Sequence, residues 1–152
     1  MSAGGPIMIM AGGTGGHVFP GLSVADALRE RGHGVVWLGT RRGLEARVVP
    51  RHGIDIEWIS VSGLRGKGVK GLVTAPFRAA FAVGQALGVI RRRKPVAVLG
   101  MGGFVSGPGG LAAWLTRRPL VIHEQNAVAG MTNRMLSRFA RRVCRRQPAP
   151  NA

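Results

Sequence analysis

Five short apolar runs punctuate the chain, and stretches with helical spacing separate them. The runs are Ile7–Ala11 (IMIMA), Gly34–Leu38 (GVVWL), Ile54–Ile59 (IDIEWI), Val96–Leu99 (VAVL) and Leu120–Ile122 (LVI). Each is short for a helix, and the first, fourth and fifth lack polar alternation, as strands covered on both faces do. Between the first two, GLSVADALRERG sets Leu22, Ala25 and Leu28 on one helical face and stops at Gly32. GLEARVVPRHG, GPGGLAAWLTRR and MTNRMLSRFARR supply further helices. Strands that alternate with helices predict an α/β protein, a doubly wound parallel sheet with helices on both sides.

The composition permits such a fold. A chain of 152 residues, 45% hydrophobic and 18% charged, is the size of one domain and can build a core. Its one cysteine, Cys144, allows no internal disulfide and suits a reducing compartment. The start, MSAGGPIMIM, lacks the basic opening and long apolar run of a signal peptide. Residues 144–152 are expected to form a linker or irregular tail.

Charge is the unusual quantity: 22 Lys and Arg against 6 Asp and Glu give +16. That excess suits an anionic partner, whether nucleic acid, a phospholipid surface or a phosphorylated substrate, or else a solvated basic surface. Nucleic acid is not expected, because no aromatics are interleaved in RRRK or RRVCRR.

The stretch Gly71–Ile90 is 20 residues long and apolar on almost every side. A membrane span is disfavoured by Arg78 near its middle, which costs about 2.5–3.5 kcal/mol on insertion scales. Two readings remain. The stretch is a crossover helix between two strands, or it also sets an apolar patch against an anionic bilayer, with Lys67, Lys70 and Arg91–Arg93 at its ends.

Two glycine-rich turns follow the first and fourth runs: MAGGTGGHVFPG (Met10–Gly21) and GMGGFVSGPGG (Gly100–Gly110). Such turns expose backbone N–H groups and open onto helix N-termini, which together attract anions. Glycine also serves close packing, the alternative reading of either turn alone. The nicotinamide pattern G-x-G-x-x-G fails at Val18, and no acid closes the second run; Arg41 and Arg42 leave an NADP-binding module as an alternative. SGLRGKG lacks the leading glycine and the final Ser/Thr of a phosphate-binding P-loop. Two turns at the carboxyl ends of strands, with Thr14 and Ser106 as extra donors, predict an anion or sugar-phosphate site. After the fifth run, HEQN (His123–Asn126) offers donors and acceptors for sugar hydroxyls, or caps the next helix. The residues offer no coherent set of metal ligands and no Ser-His-Asp triad.

Taken together, MAGGTGGHVFPGLSVA, SGLRGKG, GMGGFVSGPGGLAAW and HEQN resemble the N-terminal half of the MurG family, glycosyltransferase family 28, from about Ile7 to Val143. The resemblance implies a Rossmann-like acceptor-binding domain over residues 1–143, one half of a GT-B arrangement whose C-terminal donor-binding domain is absent. It implies an inverting transfer of N-acetylglucosamine from UDP-N-acetylglucosamine to lipid I, giving lipid II for peptidoglycan, with no cofactor or metal. The implied location is the cytoplasmic face of the bacterial inner membrane. Thr14, Gly15, Gly16 and Asn126 match the donor contacts, and Gly102, Gly103, Ser106 and Gly107 lie in the turn expected near the acceptor pyrophosphate. His17 is the candidate general base, with fixing of the loop as its other role. Glu124 is the second catalytic candidate, as a base or by orienting a neighbour. Leu72, Val73, Pro76, Phe77, Val83 and Trp114, rimmed by Lys67, Lys70 and Arg78, are the implied membrane patch. Half a cleft cannot orient two sugars, so residues 1–152 alone are expected to fold but to transfer little. A basic membrane-binding domain without catalysis is the remaining alternative.

Overall fold

The computed structural model describes residues 4–61, 68–126 and 130–145. Six strands, β1 (Ile7–Ala11), β2 (Val35–Gly39), β3 (Asp55–Trp58), β4 (Ala97–Gly102), β5 (Leu120–Glu124) and β6 (Arg142–Arg145), form one parallel sheet in the order β3-β2-β1-β4-β5-β6. Five helices connect them: α1 (Gly15–Glu30), α2 (Glu45–Arg51), α3 (Gly68–Arg93), α4 (Ser106–Leu115) and α5 (Met131–Leu136).

Strand alternation divides the core in two. Met8, Met10, Val36, Leu38, Val98 and Ile122 face one way, where they meet Ala86, Val89 and Ile90 of α3 and Ala112 and Ala113 of α4. Ile9, Ala11, Trp37 and Met101 face the other, against Val18, Leu22 and Ala25 of α1 and Val49 of α2. Apolar side chains on both faces of β1 thus give the unbroken run IMIMA its reason.

The boundaries differ from the sequence reading where glycine and proline obscure the pattern. α1 begins at Gly15, seven residues before Leu22 starts the apolar spacing, and carries His17 and Pro20 inside it. β4 runs on to Gly102 and β5 to Glu124, so Gly100–Gly102 and the first half of HEQN are strand. α5 stops at Leu136, and the arginine-rich residues 142–145 form the sixth strand, which includes Cys144. All four of its residues are exposed, so no apolar pattern marks it. α3 is 26 residues long and packs on the sheet through its carboxyl half, as the crossover reading requires. It is long and apolar enough to cross a membrane, by length and composition.

Candidate functional site at the strand switch point

β1 and β4 are neighbours in the sheet, although three helices and two strands separate them in sequence. The connections leave these two strands in opposite directions, and the turns at their carboxyl ends open a crevice at that switch point. Both glycine turns therefore meet there. Gly103, at φ +87°, lies so close to the backbone of Gly12 that a Cβ would run into it. A Cβ on Gly102, at φ +111°, would lie 2.7 Å from the ring of His17. A side chain at Gly103 would drive the two turns apart, and one at Gly102 would push on the His17 ring.

The first turn leads directly into the N-terminus of α1. Thr14 is the N-cap of α1 but makes no side-chain capping bond, and its carbonyl accepts the N–H groups of His17 and Val18 at 3.1 Å each. Gly15 and Gly16 hold the first two N–H groups of the helix, which have no carbonyl one turn earlier to bond. Pro20 adds a second gap. Having no N–H, it leaves the Gly16 carbonyl without its helical partner, and Gln125 Nε2 donates to that oxygen at 2.8 Å.

Gln125 ties the crevice together. Its Nε2 also lies 3.0 Å from the Met101 carbonyl at the end of β4 and 2.7 Å from His17 Nδ1. His17 Nδ1 is 3.2 Å from the same Met101 oxygen. The sequence reading placed Gln125 in a polar motif without giving it this role, since only the fold brings residues 16, 101 and 125 to one rim. Glu45 was missed for a similar reason. It is fully buried, and its carboxylate accepts the N–H of Gly13 at 3.0 Å and the N–H and hydroxyl of Thr40 at 2.8 and 3.0 Å. The first turn is therefore anchored to the end of β2. The cue is a lone acid at the opening of α2, which helix pattern alone reads as an N-terminal charge.

Ser106 and Glu124 lie inside the fold near the ends of β4 and β5. Ser106 is fully buried, and its hydroxyl accepts the Gly102 N–H at 3.1 Å beside the carbonyls of Met10 and Gly102. It shapes the second turn from inside, with its hydroxyl taken up by backbone groups of that turn and of β1. Glu124 is 2% exposed and accepts the N–H groups of Asn126 and Gly130 and the side-chain amide of Asn133, at 3.0, 3.2 and 2.7 Å. Burial raises its pKa, but those three donors outweigh burial and hold the carboxyl below its ordinary range. A carboxylate so satisfied is a poor base. Of the two roles considered for Glu124 the geometry favours orientation, because it fixes the backbone of Asn126. Asn126 itself is exposed beside the crevice, and Gly107 sits in the first turn of α4. Glu124 and Asn133 also line a cavity of about 500 Å³ between β5, α5 and β6, away from the glycine turns. Arg41 of the NADP alternative lies over the ring of Trp58, 4.9 Å from its centroid.

On α3, Leu72, Val73, Pro76 and Phe77 are exposed beside Lys70 and Arg78, while Lys67 lies outside the described residues. Val83 is half-buried and drops out of the expected patch; Val69 and Phe81, both exposed, extend it. Trp114 of α4 is 48% exposed and tilts against Phe139, ring centroids 5.0 Å apart.

A doubly wound parallel sheet with paired glycine turns at its switch point is the architecture of a GT-B glycosyltransferase domain. Residues 7–145 match the glycosyltransferase family 28 N-terminal domain, and the chain belongs to that family. The UDP-N-acetylglucosamine--N-acetylmuramyl-(pentapeptide) pyrophosphoryl-undecaprenol N-acetylglucosamine transferase of Alkalilimnicola ehrlichii is 68% identical over 138 residues, 91% of this chain and 39% of that relative. The protein of the same name from Nitrosococcus oceani is 62% identical over 137 residues, 90% of this chain and 38% of its own. The crystal structure of Acinetobacter baumannii MurG superposes with a TM-score of 0.84 at 46% identity, covering 97% of this chain and 43% of that one. The chain thus spans about two-fifths of the length of the relatives it matches. The family match sets aside the NADP-binding module.

Proposed function

We propose that this domain forms the acceptor-side wall of an inverting N-acetylglucosaminyltransferase that converts lipid I to lipid II at the cytoplasmic face of the inner membrane. The junction of the two glycine turns carries the reading. Thr14, Gly15, Gly16 and Asn126 meet the UDP-N-acetylglucosamine donor, whose negative charge suits the N–H groups at the start of α1. Gly102, Gly103 and Gly107 border the place of the acceptor pyrophosphate, where backbone can approach closely because no Cβ intervenes. His17 stands between the turns and takes the proton of the acceptor hydroxyl as the glycosidic bond forms and UDP departs from the inverted anomeric carbon. The exposed apolar side of α3, with its cations, rests on anionic lipid where the undecaprenyl tail stays.

Because the relatives are longer, transfer is proposed of the whole enzyme, of which this chain supplies one wall of the cleft. The test is transfer to a soluble lipid I analogue by the chain alone and after mixing with a separately expressed C-terminal half. Transfer on mixing, lost with His17→Ala, supports the reading. Brisk transfer by residues 1–152 alone, or none from a mixture in which both halves are folded and bound, overturns it.

A further inference from the structure

We propose that Gln125 is a positioning residue that holds neutral His17 in the tautomer with its hydrogen on Nε2. The inference rests on the reading of His17 as the proton acceptor, but its geometry stands apart from that reading.

The orientation of the Gln125 amide is set by its surroundings. Nε2 faces two carbonyl oxygens, Gly16 at 2.8 Å and Met101 at 3.0 Å, while Oε1 lies 3.4 Å from His123 Nδ1. Turned over, the amide would set its oxygen against two other acceptors with no hydrogen between them. The third neighbour of Nε2 is His17 Nδ1 at 2.7 Å, the shortest of these contacts. An amide nitrogen donates and does not accept, so this contact is a hydrogen bond only when Nδ1 carries a lone pair. The ring hydrogen is then on Nε2, which makes that nitrogen a donor.

This arrangement gates the chemistry. To take a proton at Nε2, the neutral ring must first carry its hydrogen on Nδ1 instead. The Met101 carbonyl, 3.2 Å from Nδ1, is placed to accept that hydrogen. Gln125 must then release Nδ1 and give both hydrogens to Gly16 and Met101, the two oxygens already in reach. No atom is gained or lost; one hydrogen changes nitrogen through solvent. Gln125 therefore sits between a resting donor and a working base.

The tautomer is read directly from long-range ¹H–¹⁵N correlations on the labelled 152-residue chain at about pH 8.5, above the ordinary imidazole range. His17→Gln identifies the signals among the four histidines. The expected result is Nε2–H for His17 in the unaltered chain. Gln125→Leu is expected to move the ratio toward Nδ1–H by about tenfold, the scale of one hydrogen bond. Gln125→Glu, which places an acceptor beside Nδ1, moves it the same way and serves if the leucine variant does not fold. A predominant Nδ1–H form in the unaltered chain overturns the inference, as does an unchanged ratio in a folded variant. Transfer with His17→Ala tests the other reading: normal turnover ends the base role and leaves the tautomer result standing.

Discussion

The carboxylate of Glu45, wholly out of solvent, takes the N–H of Gly13 at 3.0 Å, and so binds the first glycine turn to a helix on the far side of β2. No cation pairs with Glu45 among the described residues; its compensation comes from Gly13 and Thr40. Glu45→Ala strips three donors of their acceptor at once. The expected loss is about 2–5 kcal/mol, read from urea unfolding. Glu45→Gln keeps one acceptor oxygen and should lose less. Equal stability of the alanine variant would mean that the turn does not depend on this anchor.

Gly103→Ala should separate the two turns. It opposes both φ +87° and the Gly12 backbone, and backbone cannot step aside as a side chain tip does. The expected cost is about 2–4 kcal/mol. Gly102→Ala meets the His17 ring instead, so its mark should be a displaced ring, seen as changed His17 signals in the spectrum. An unshifted His17 in a folded Gly102→Ala chain would contradict the juxtaposition.

The sheet was legible because β1, β2, β4 and β5 are largely buried and their apolar runs are short and bounded by glycine, proline or charged residues. The meeting of the glycine turns followed from topology, since strands 1 and 4 are neighbours in a doubly wound order. What escaped lies where burial leaves no trace in residue type. β6 is four exposed residues held by backbone pairing to β5. Glu45 and Gln125 act through partners remote in sequence, so local spacing carries no sign of them. Ser106 was read as an extra donor and Glu124 as a catalytic candidate from their polarity; their burial leaves no sign in the sequence.

The apolar side of α3 should bind anionic vesicles. Leu72, Phe77 and Phe81 are 76%, 75% and 62% exposed, so replacing them with Ser removes little that the fold uses. Leu72→Ser with Phe77→Ser should leave the unfolding midpoint nearly unchanged and cut sedimentation with phosphatidylglycerol vesicles several-fold. Added salt should weaken binding of the unaltered chain through Lys70 and Arg78. Undiminished sedimentation of the double variant at matched salt would move the lipid contact elsewhere on this basic surface.

Acid should loosen the fold in a particular order. Burial raises the Glu57 pKa, yet hydrogen bonds from Arg93 and Arg92, at 2.7 and 2.6 Å, bring it below the ordinary glutamate value. Glu124 is also lowered from the ordinary glutamate value, by Asn126, Asn133 and Gly130 against burial. A carboxyl with a depressed folded pKa contributes stability that is fully present above its unfolded value. That contribution fades as pH falls below about 4.5 and through the folded pKa, because the unfolded chain binds protons first. Stability measured from pH 7 to pH 3 should therefore hold down to about pH 5 and then decline. Glu57→Gln should flatten part of that decline without disturbing the crevice, since its partners lie on the last turn of α3. Glu124→Gln should flatten it too, but it also places an amide where three donors converge, so the Asn126 turn should shift at neutral pH. An unaltered acid limb in both folded variants would show that these two carboxylates do not set it.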